Sequence, residues 1–382
     1  MRIVLAVLLA IHGFIHLLGF LKVWKLAEVP QLTGATLFAL PEPLPRVVGL
    51  IWLGACLAFI GAASAALFRY GPWWLVAGVG ILVSQLLVIY AWPDAKAGTL
   101  VNIVLLVPVL FAWADARFQN GTDEQVRALF ARATSDDSRL ITSEALDPLP
   151  PPVRRWLENA GVVGKRIPRT VRLKQRGQMR LSPDKDEVEA AAQQYFRVLD
   201  PEFIWRVRVQ MMHVLPVAGR DSYVDGRGRM LIKLGSVVPV VDAADEKIDQ
   251  GALLRFLGEI VWFPAAALSP YIHWEPMDAT SAKATMTRGG VSGTAVFSFD
   301  DRGRFIGLIA DRYFGGGPDA KTERWEIEAK EWKAMDGCLV PVRGDVRWKL
   351  AEGDFAFYRW ELTELEYDPP GLFAAEKSAT MP

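Results

Sequence analysis

Two histidines four residues apart, His12 and His16, lie in an apolar stretch from Ile3 to Leu21. That spacing puts both imidazoles on one face of a helix. Ionisable side chains at membrane depth are costly and turn towards a bundle interior. The pair therefore has two uses, ligation of a haem, metal or quinone, or hydrogen bonding between helices by neutral imidazoles. No second histidine pair exists to complete a bis-histidine haem site, which favours hydrogen bonding. Gln85 lies at a depth similar to His16 in a later apolar stretch, and Asn102 enters another from the same side.

The C-terminal two thirds offers His213, Asp221, Glu259, His273 and Glu275. Glu259 sits among Phe256, Leu257, Ile260, Val261 and Trp262, where a carboxyl group could acquire a raised pKa and act as an acid or base. An ion pair with Arg255, one helical turn earlier, is the simpler assignment. Asp221 follows Gly219-Arg220 at an expected turn into a strand, so a turn-capping hydrogen bond comes before catalysis. No G-x-S-x-G, H-E-x-x-H, P-loop or C-x-x-C motif occurs, and no G-x-G-x-x-G opens a helix. Gly315-Gly316-Gly317, before Pro318, reads as a hairpin loop. Cys56 and Cys338 make neither a disulfide framework nor a zinc cluster. These residues assign no catalytic group, metal or cofactor to the soluble part.

The elements that position these residues divide the chain in two. Ile3 to Leu21, Val47 to Phe68, Trp73 to Trp92 and Thr99 to Trp113 are almost free of charge. A bilayer core requires roughly 17 to 25 helical residues, which makes the fourth stretch the shortest. Trp24, Trp73, Trp74, Trp92 and Trp113 stand at the ends of these stretches, where amphipathic rings prefer the headgroup level, and Trp52 alone lies inside one. Residues 1–117 are thus expected as an all-α four-helix membrane bundle. The first stretch is longer than a signal-peptide core and lacks a small-x-small site before Lys22, so it reads as a retained helix. Arg2, Arg69 and Arg117 fall on one side against Lys22, Lys25, Arg46 and Lys96 on the other. By the positive-inside rule, that count places the C-terminal domain outside the cytoplasm. The chain holds 43 basic and 43 acidic residues, which leaves no electrostatic case for nucleic acid.

Residues 118–149 read as a juxtamembrane helix and linker. Thr122 and Gln125 fit a capping box, and Val126, Leu129, Phe130 and Ala133 form an apolar stripe laid near the membrane surface. A domain over 150–368 opens on a helix with Val153, Trp156, Leu157 and Ala160 on one stripe, ended by Gly161. From Arg169 the period changes to two, as in Val171, Leu173, Met179 and Leu181, and again in Phe203, Trp205, Val207 and Val209. Asp225-Gly226, Asp300 to Gly303, Asp336-Gly337 and Glu352 to Asp354 mark turns, giving about ten antiparallel strands. One helix interrupts them, with Leu253, Phe256, Leu257, Ile260 and Val261 at helical spacing between Asp249 and Pro264. Laid on the concave face of a curved sheet, it would leave an apolar crevice at its edge. Trp205, Phe256, Leu257, Ile260, Trp262, Phe297 and Tyr358 are the candidate ligand-binding residues. Residues 369–382 read as a disordered tail.

Six segments carry a resemblance: Gly219-Arg220-Asp221-Ser222-Tyr223, Leu257-Gly258-Glu259-Ile260-Val261-Trp262-Phe263-Pro264, Trp274-Glu275, Phe299-Asp300-Asp301-Arg302-Gly303, Pro341-Val342-Arg343-Gly344 and Tyr358-Arg359-Trp360. Through them residues 150–368 resemble an uncharacterised bacterial family of the domain-of-unknown-function kind. That family is in turn similar to lipoprotein carriers of the LolA/LolB kind. The likeness implies an α+β domain, a half-barrel antiparallel sheet around a covering helix with an apolar cavity. Ile11-His12-Gly13-Phe14-Ile15-His16 resembles DoxX-like four-helix membrane proteins. Together these readings lead one to expect a bacterial inner-membrane protein whose periplasmic domain binds a lipid or acyl chain without covalent chemistry. The alternative is a membrane redox accessory or oxidoreductase with a haem or quinone at His12 and His16.

Overall fold

The computed structural model describes residues 2–133, 139–211 and 215–374, and the expected candidate His213 lies outside them. The chain divides into two compact units, residues 1–117 and residues 118–374.

Helices α1 (Arg2–Val23), α2 (Leu44–Leu67) and α3 (Trp73–Tyr90), a single turn α4 (Trp92–Ala95) and α5 (Gly98–Ala131) follow in order. Four of them, α1, α2, α3 and α5, are long and apolar enough to cross a membrane. In the first unit Leu9, Phe59, Ala62, Ala77 and Leu105 are fully packed, while Ile3, Phe14, Leu57, Leu82 and Leu100 point outward. Apolar residues on both the inner and outer surfaces suit helices in hydrocarbon. Trp52, the one tryptophan expected inside a stretch, packs against Gly19 and the His16 ring.

The sequence at Asn120-Gly121 does not interrupt the fourth helix: α5 runs through to Ala131. Thr122 does not cap a helix, since its hydroxyl donates to the Phe118 carbonyl one turn back. The stripe of Val126 and Leu129 lies against Tyr195, Ile204 and Phe373 rather than facing outward. The reason is burial. A sheet surface with Tyr195 and Ile204 on it needs an apolar cover, and Arg206 to Asp123 and Arg132 to Glu202 fix its register. Ile141 and Leu146, in the expected linker, enter the main core, and Phe373, in the expected tail, stacks beneath Arg172. Residues 375–382 lie outside the described chain.

The second unit then adds α6 (Pro151–Ala160), closed by Gly161 as expected, and strands β1 (Thr170–Arg180), β2 (Glu187–Arg197), β3 (Glu202–Met211), β4 (Leu215–Val224), β5 (Arg227–Leu234) and β6 (Val238–Ala243). Helix α7 (Glu246–Glu259) follows, and β7 (Ile272–Pro276), β8 (Ser281–Arg288), β9 (Val291–Phe299), β10 (Phe305–Tyr313), β11 (Thr322–Met335), β12 (Cys338–Leu350) and β13 (Gly353–Tyr367) complete the sheet. Thirteen strands, against about ten expected, form one antiparallel sheet. Two meanders, β6 to β1 and β13 to β7, join where β1 pairs with β13.

This sheet is curled. Strands β5 and β9 stand nine positions apart, roughly 43 Å if flat at about 4.8 Å per strand. Yet α7, about 10 to 12 Å across, packs against both. The β4–β5 turn at Asp225-Gly226 also meets the β8–β9 turn: a Cβ on Gly226 would stand 3.3 Å from the Gly289 Cα. Asp225, Gly226, Gly289 and Gly290 all have positive φ, as two-residue hairpins of matching twist require. The result is a half-barrel closed around α7. That helix begins three residues before the expected Asp249 boundary: Asp245 caps it, accepting from the Lys247 and Ile248 amides at 2.9 Å. Asp249 lies inside the first turn and accepts from Arg227 and the Gly228 amide.

Candidate functional site

The apolar side of α7 is core. Leu253, Phe256, Leu257 and Ile260 have no accessible surface, and neither has Phe297 across from them. Phe256 packs on Phe196, Phe263 and Tyr271, Phe297 on Trp156, Trp274 and Phe305. Trp262 is tied down by its indole N–H to the Pro341 carbonyl at 3.1 Å and lies edge-on to Trp360. Of the seven expected ligand-binding residues, these five are packing residues in the closed arrangement. Trp205 and Tyr358 belong to a different setting.

The other side of α7 presents Arg255 and Glu259, one turn apart, to the concave face. Register sets Gln194, Trp205 and Asp221 side by side across β2, β3 and β4. Arg255 donates to Glu259 at 2.8 Å and to Asp221 at 2.8 Å, and its guanidinium lies 4.5 Å over the Trp205 ring. Gln194 donates its amide to Glu259 at 2.6 Å. The far wall comes from the second meander, where Trp325 pairs with Trp348 across β11 and β12. Arg312 of β10 lies 4.9 Å over Trp325 and 5.4 Å over Trp348, and its Nε donates to the Gly251 carbonyl at 2.9 Å. Gly251 makes this approach possible, because a Cβ there would stand 3.3 Å from that nitrogen.

With Tyr358 of β13, near enough to feel the Arg255 and Glu259 charges, four buried aromatic side chains gather about Arg255 and Arg312, and this polar-aromatic cluster is the recess. Arg255, Asp221 and Arg312 keep some accessible surface, whereas Trp205, Trp325, Trp348, Tyr358 and Gln194 are at least nine-tenths buried. Burial raises the Asp221 and Glu259 carboxyls above the usual range, against the pull of Arg255. For Arg255 burial works against the charge, and Glu259 and Asp221 outweigh it. Arg312 is pushed down to about 10 by burial and by Arg255. Among the described residues no carboxylate comes within 4 Å of its guanidinium. Four polar atoms of this cluster find no partner among the described residues: Gln194 Oε1, Trp205 Nε1, Trp325 Nε1 and the Tyr358 hydroxyl. Buried polar groups are nearly always hydrogen-bonded, so these four atoms are open to a water or another polar partner.

The sequence reading of Glu259 with Arg255 matches this geometry. Asp221 does not cap a turn; it lies within β4 and reaches across to α7. Arg312, Gln194, Trp325 and Trp348 were not singled out, because each sits in ordinary strand alternation and only the curl of the sheet brings them to Arg255. His273 is exposed on β7, and Glu275 pairs with Lys283 at 2.8 Å, both apart from the recess. Among the described residues no group of three or more His, Cys, Asp and Glu is placed to hold a metal ion. An outer-face groove of about 240 Å³ between Ile306, Ile309, Glu326 and Arg347 is open and carries no comparable chemistry.

Within residues 1–117 a second buried polar set forms. His12 Nε2 meets Asn102 Oδ1 at 2.9 Å and Ser84 Oγ at 3.3 Å, and His16 Nε2 meets Ser84 Oγ at 2.9 Å. His16 Nδ1 donates to the His12 carbonyl at 2.8 Å, Asn102 donates to Gln85 at 3.0 Å, and Gln85 donates to Thr99 at 3.1 Å. Both Nε2 atoms have protein partners, and His12 Nδ1 is the ring nitrogen left without one among the described residues. The arrangement is the interhelical hydrogen bonding of the first reading.

A solved structure similar to this chain is that of LolA superfamily protein NE2245 from Nitrosomonas europaea, at 11% identity over 59% of this chain and 94% of that one, with a TM-score of 0.33. No curated protein matches. A family model matches residues 139–360, which include every residue of the recess. With more than half its length so matched, the chain belongs to the family of unknown function DUF6544.

Proposed function

We propose that this chain is a membrane-anchored binding protein whose half-barrel holds an apolar ligand, a lipid or acyl chain, without covalent chemistry. The observation that carries the reading is the cluster of Trp205, Trp325, Trp348 and Tyr358 about Arg255 and Arg312, inside a sheet curled on α7. Aromatic walls with a few convergent polar groups are the ordinary make-up of small-ligand sites. Helices α1, α2, α3 and α5 supply the anchor in a bacterial inner membrane, with the half-barrel on the periplasmic side as the basic-residue count indicates. A haem or quinone at His12 and His16 has less support, because their ring nitrogens, His12 Nδ1 apart, are taken up by Ser84, Asn102 and the His12 carbonyl, and no second histidine pair completes a haem site.

The test is a lipid with a photoreactive group in its chain, activated on the full protein in lipid nanodiscs. Label on peptides from β3, β11, β12 and β13 is expected. Label confined to residues 2–117 overturns the reading. Phosphatase and fluorescent-protein fusions at the C-terminus report the side: fluorescence without phosphatase activity reverses it.

A further inference from the structure

We infer that the recess selects an uncharged polar-headed lipid, one whose ester or amide carbonyl is accompanied by a hydroxyl, over a fatty-acid anion. The inference rests on the reading above and adds the head group.

The charges balance without a ligand. Asp221 and Glu259 flank Arg255 at 2.8 Å each, and Arg312 across the recess supplies the second positive charge. Two guanidinium groups thus face two carboxylates. An added anion would leave one net charge among four buried aromatic side chains, where charge is poorly solvated. The same space is rich in donors. The Trp205 and Trp325 indole N–H groups and the Tyr358 hydroxyl have no protein acceptor. Among the described residues, Nε is the Arg312 nitrogen with a hydrogen-bond partner, the Gly251 carbonyl. A carbonyl oxygen satisfies such donors without adding charge. One leftover atom asks for the opposite. Gln194 must turn its NH₂ to the Glu259 carboxylate, so its Oε1 is fixed as an acceptor without a donor. A ligand hydroxyl supplies that donor. A monoacylglycerol-like head carries both groups.

Photoreactive monoacylglycerol on the full chain in nanodiscs, competed with monoolein, oleate or 1-octadecene at mildly alkaline pH, tests this. Monoolein should displace the label from the sheet peptides at a concentration about tenfold below that of oleate, about 1.4 kcal/mol of preference. Asp221→Asn and Glu259→Gln each leave the recess one positive charge in excess, so either should shift the oleate-to-monoolein ratio by about tenfold towards oleate. Two isosteric variants guard against one that fails to fold. If oleate and monoolein compete equally in the wild type, or neither variant shifts the ratio, the head-group inference falls while the apolar reading stands. If no competitor, 1-octadecene included, displaces label from the sheet, both fall.

Discussion

The two units bury polar side chains in different ways. Between α1, α3 and α5 the set of His12, His16, Ser84, Gln85, Thr99 and Asn102 closes on itself, and His12 Nδ1 is the one buried side-chain atom of it left over. In the half-barrel, Arg255, Asp221, Glu259 and Gln194 satisfy one another in part, while Trp205, Trp325, Tyr358 and Gln194 each keep an unpartnered atom. A set paired at all but one of its buried atoms holds helices together. An open set keeps free energy in reserve for whatever completes it. The difference separates a structural polar cluster from a candidate binding one, although both lie in apolar surroundings.

Four substitutions can break or sharpen this contrast. Leu257→Asp should have the largest effect, because the site has no accessible surface and the new carboxylate would add to a lost apolar contact. A loss on the order of 5 kcal/mol is expected, enough to unfold the sheet. Thermal unfolding and protease resistance read it, and an unshifted midpoint would mean that α7 faces solvent.

Arg255→Met comes next, at about 3 to 5 kcal/mol, since it strands the buried Glu259 carboxylate and the largely buried Asp221. Its pH dependence has a definite sign. Asp221 and Glu259 already have raised pKa values when folded, and loss of Arg255 raises them further. A folded state that takes up protons before the unfolded one gains stability as pH falls and loses it as pH rises through the folded pKa. The gap between variant and wild type should therefore shrink from neutral towards acid pH. A gap that widens would mean the carboxylates are not held as described.

Asn102→Leu in the helical unit removes the partner of His12 and of Gln85. Interhelical hydrogen bonds contribute about 0.6 to 2 kcal/mol each in membranes, so the cost should stay below that of Arg255→Met. Unfolding in a detergent series measures it. The reverse order would make the helical set the more demanding of the two.

Tyr358→Phe should have the smallest effect on the fold. It deletes a buried hydroxyl that has no partner, so stability should move by less than about 0.5 kcal/mol or rise slightly. Bound lipid should nonetheless fall. A clear loss of stability with unchanged lipid would place the hydroxyl in the closed class.

Much of the fold was legible along the chain. Uncharged stretches marked all four long helices, because length and apolar composition are local properties of the chain. The strands and the turns at Asp225-Gly226, Asp300 to Gly303 and Asp336-Gly337 were equally local, set by period two and by residues that tolerate positive φ. The start of α7 was misplaced, because Asp249 resembles a cap and only Asp245 has the geometry of one. Likewise Asn120-Gly121 resembles a break, but α5 continues, since apolar contacts of Val126 and Leu129 outweigh the weak helix propensity of those two residues.

What the sequence by itself determined was therefore the two-part architecture, the periodicity of the long helices and of several strands, and the Arg255–Glu259 pair, whose partners stand one helical turn apart. Tertiary structure alone decided the recess. Asp221, Gln194 and Trp205 come from one meander and Arg312, Trp325 and Trp348 from the other, separated by about 90 residues or more between the two groups. No local pattern links them. They meet because a sheet of thirteen strands twists, and the wide apolar side of α7 can be buried only if that sheet closes around it.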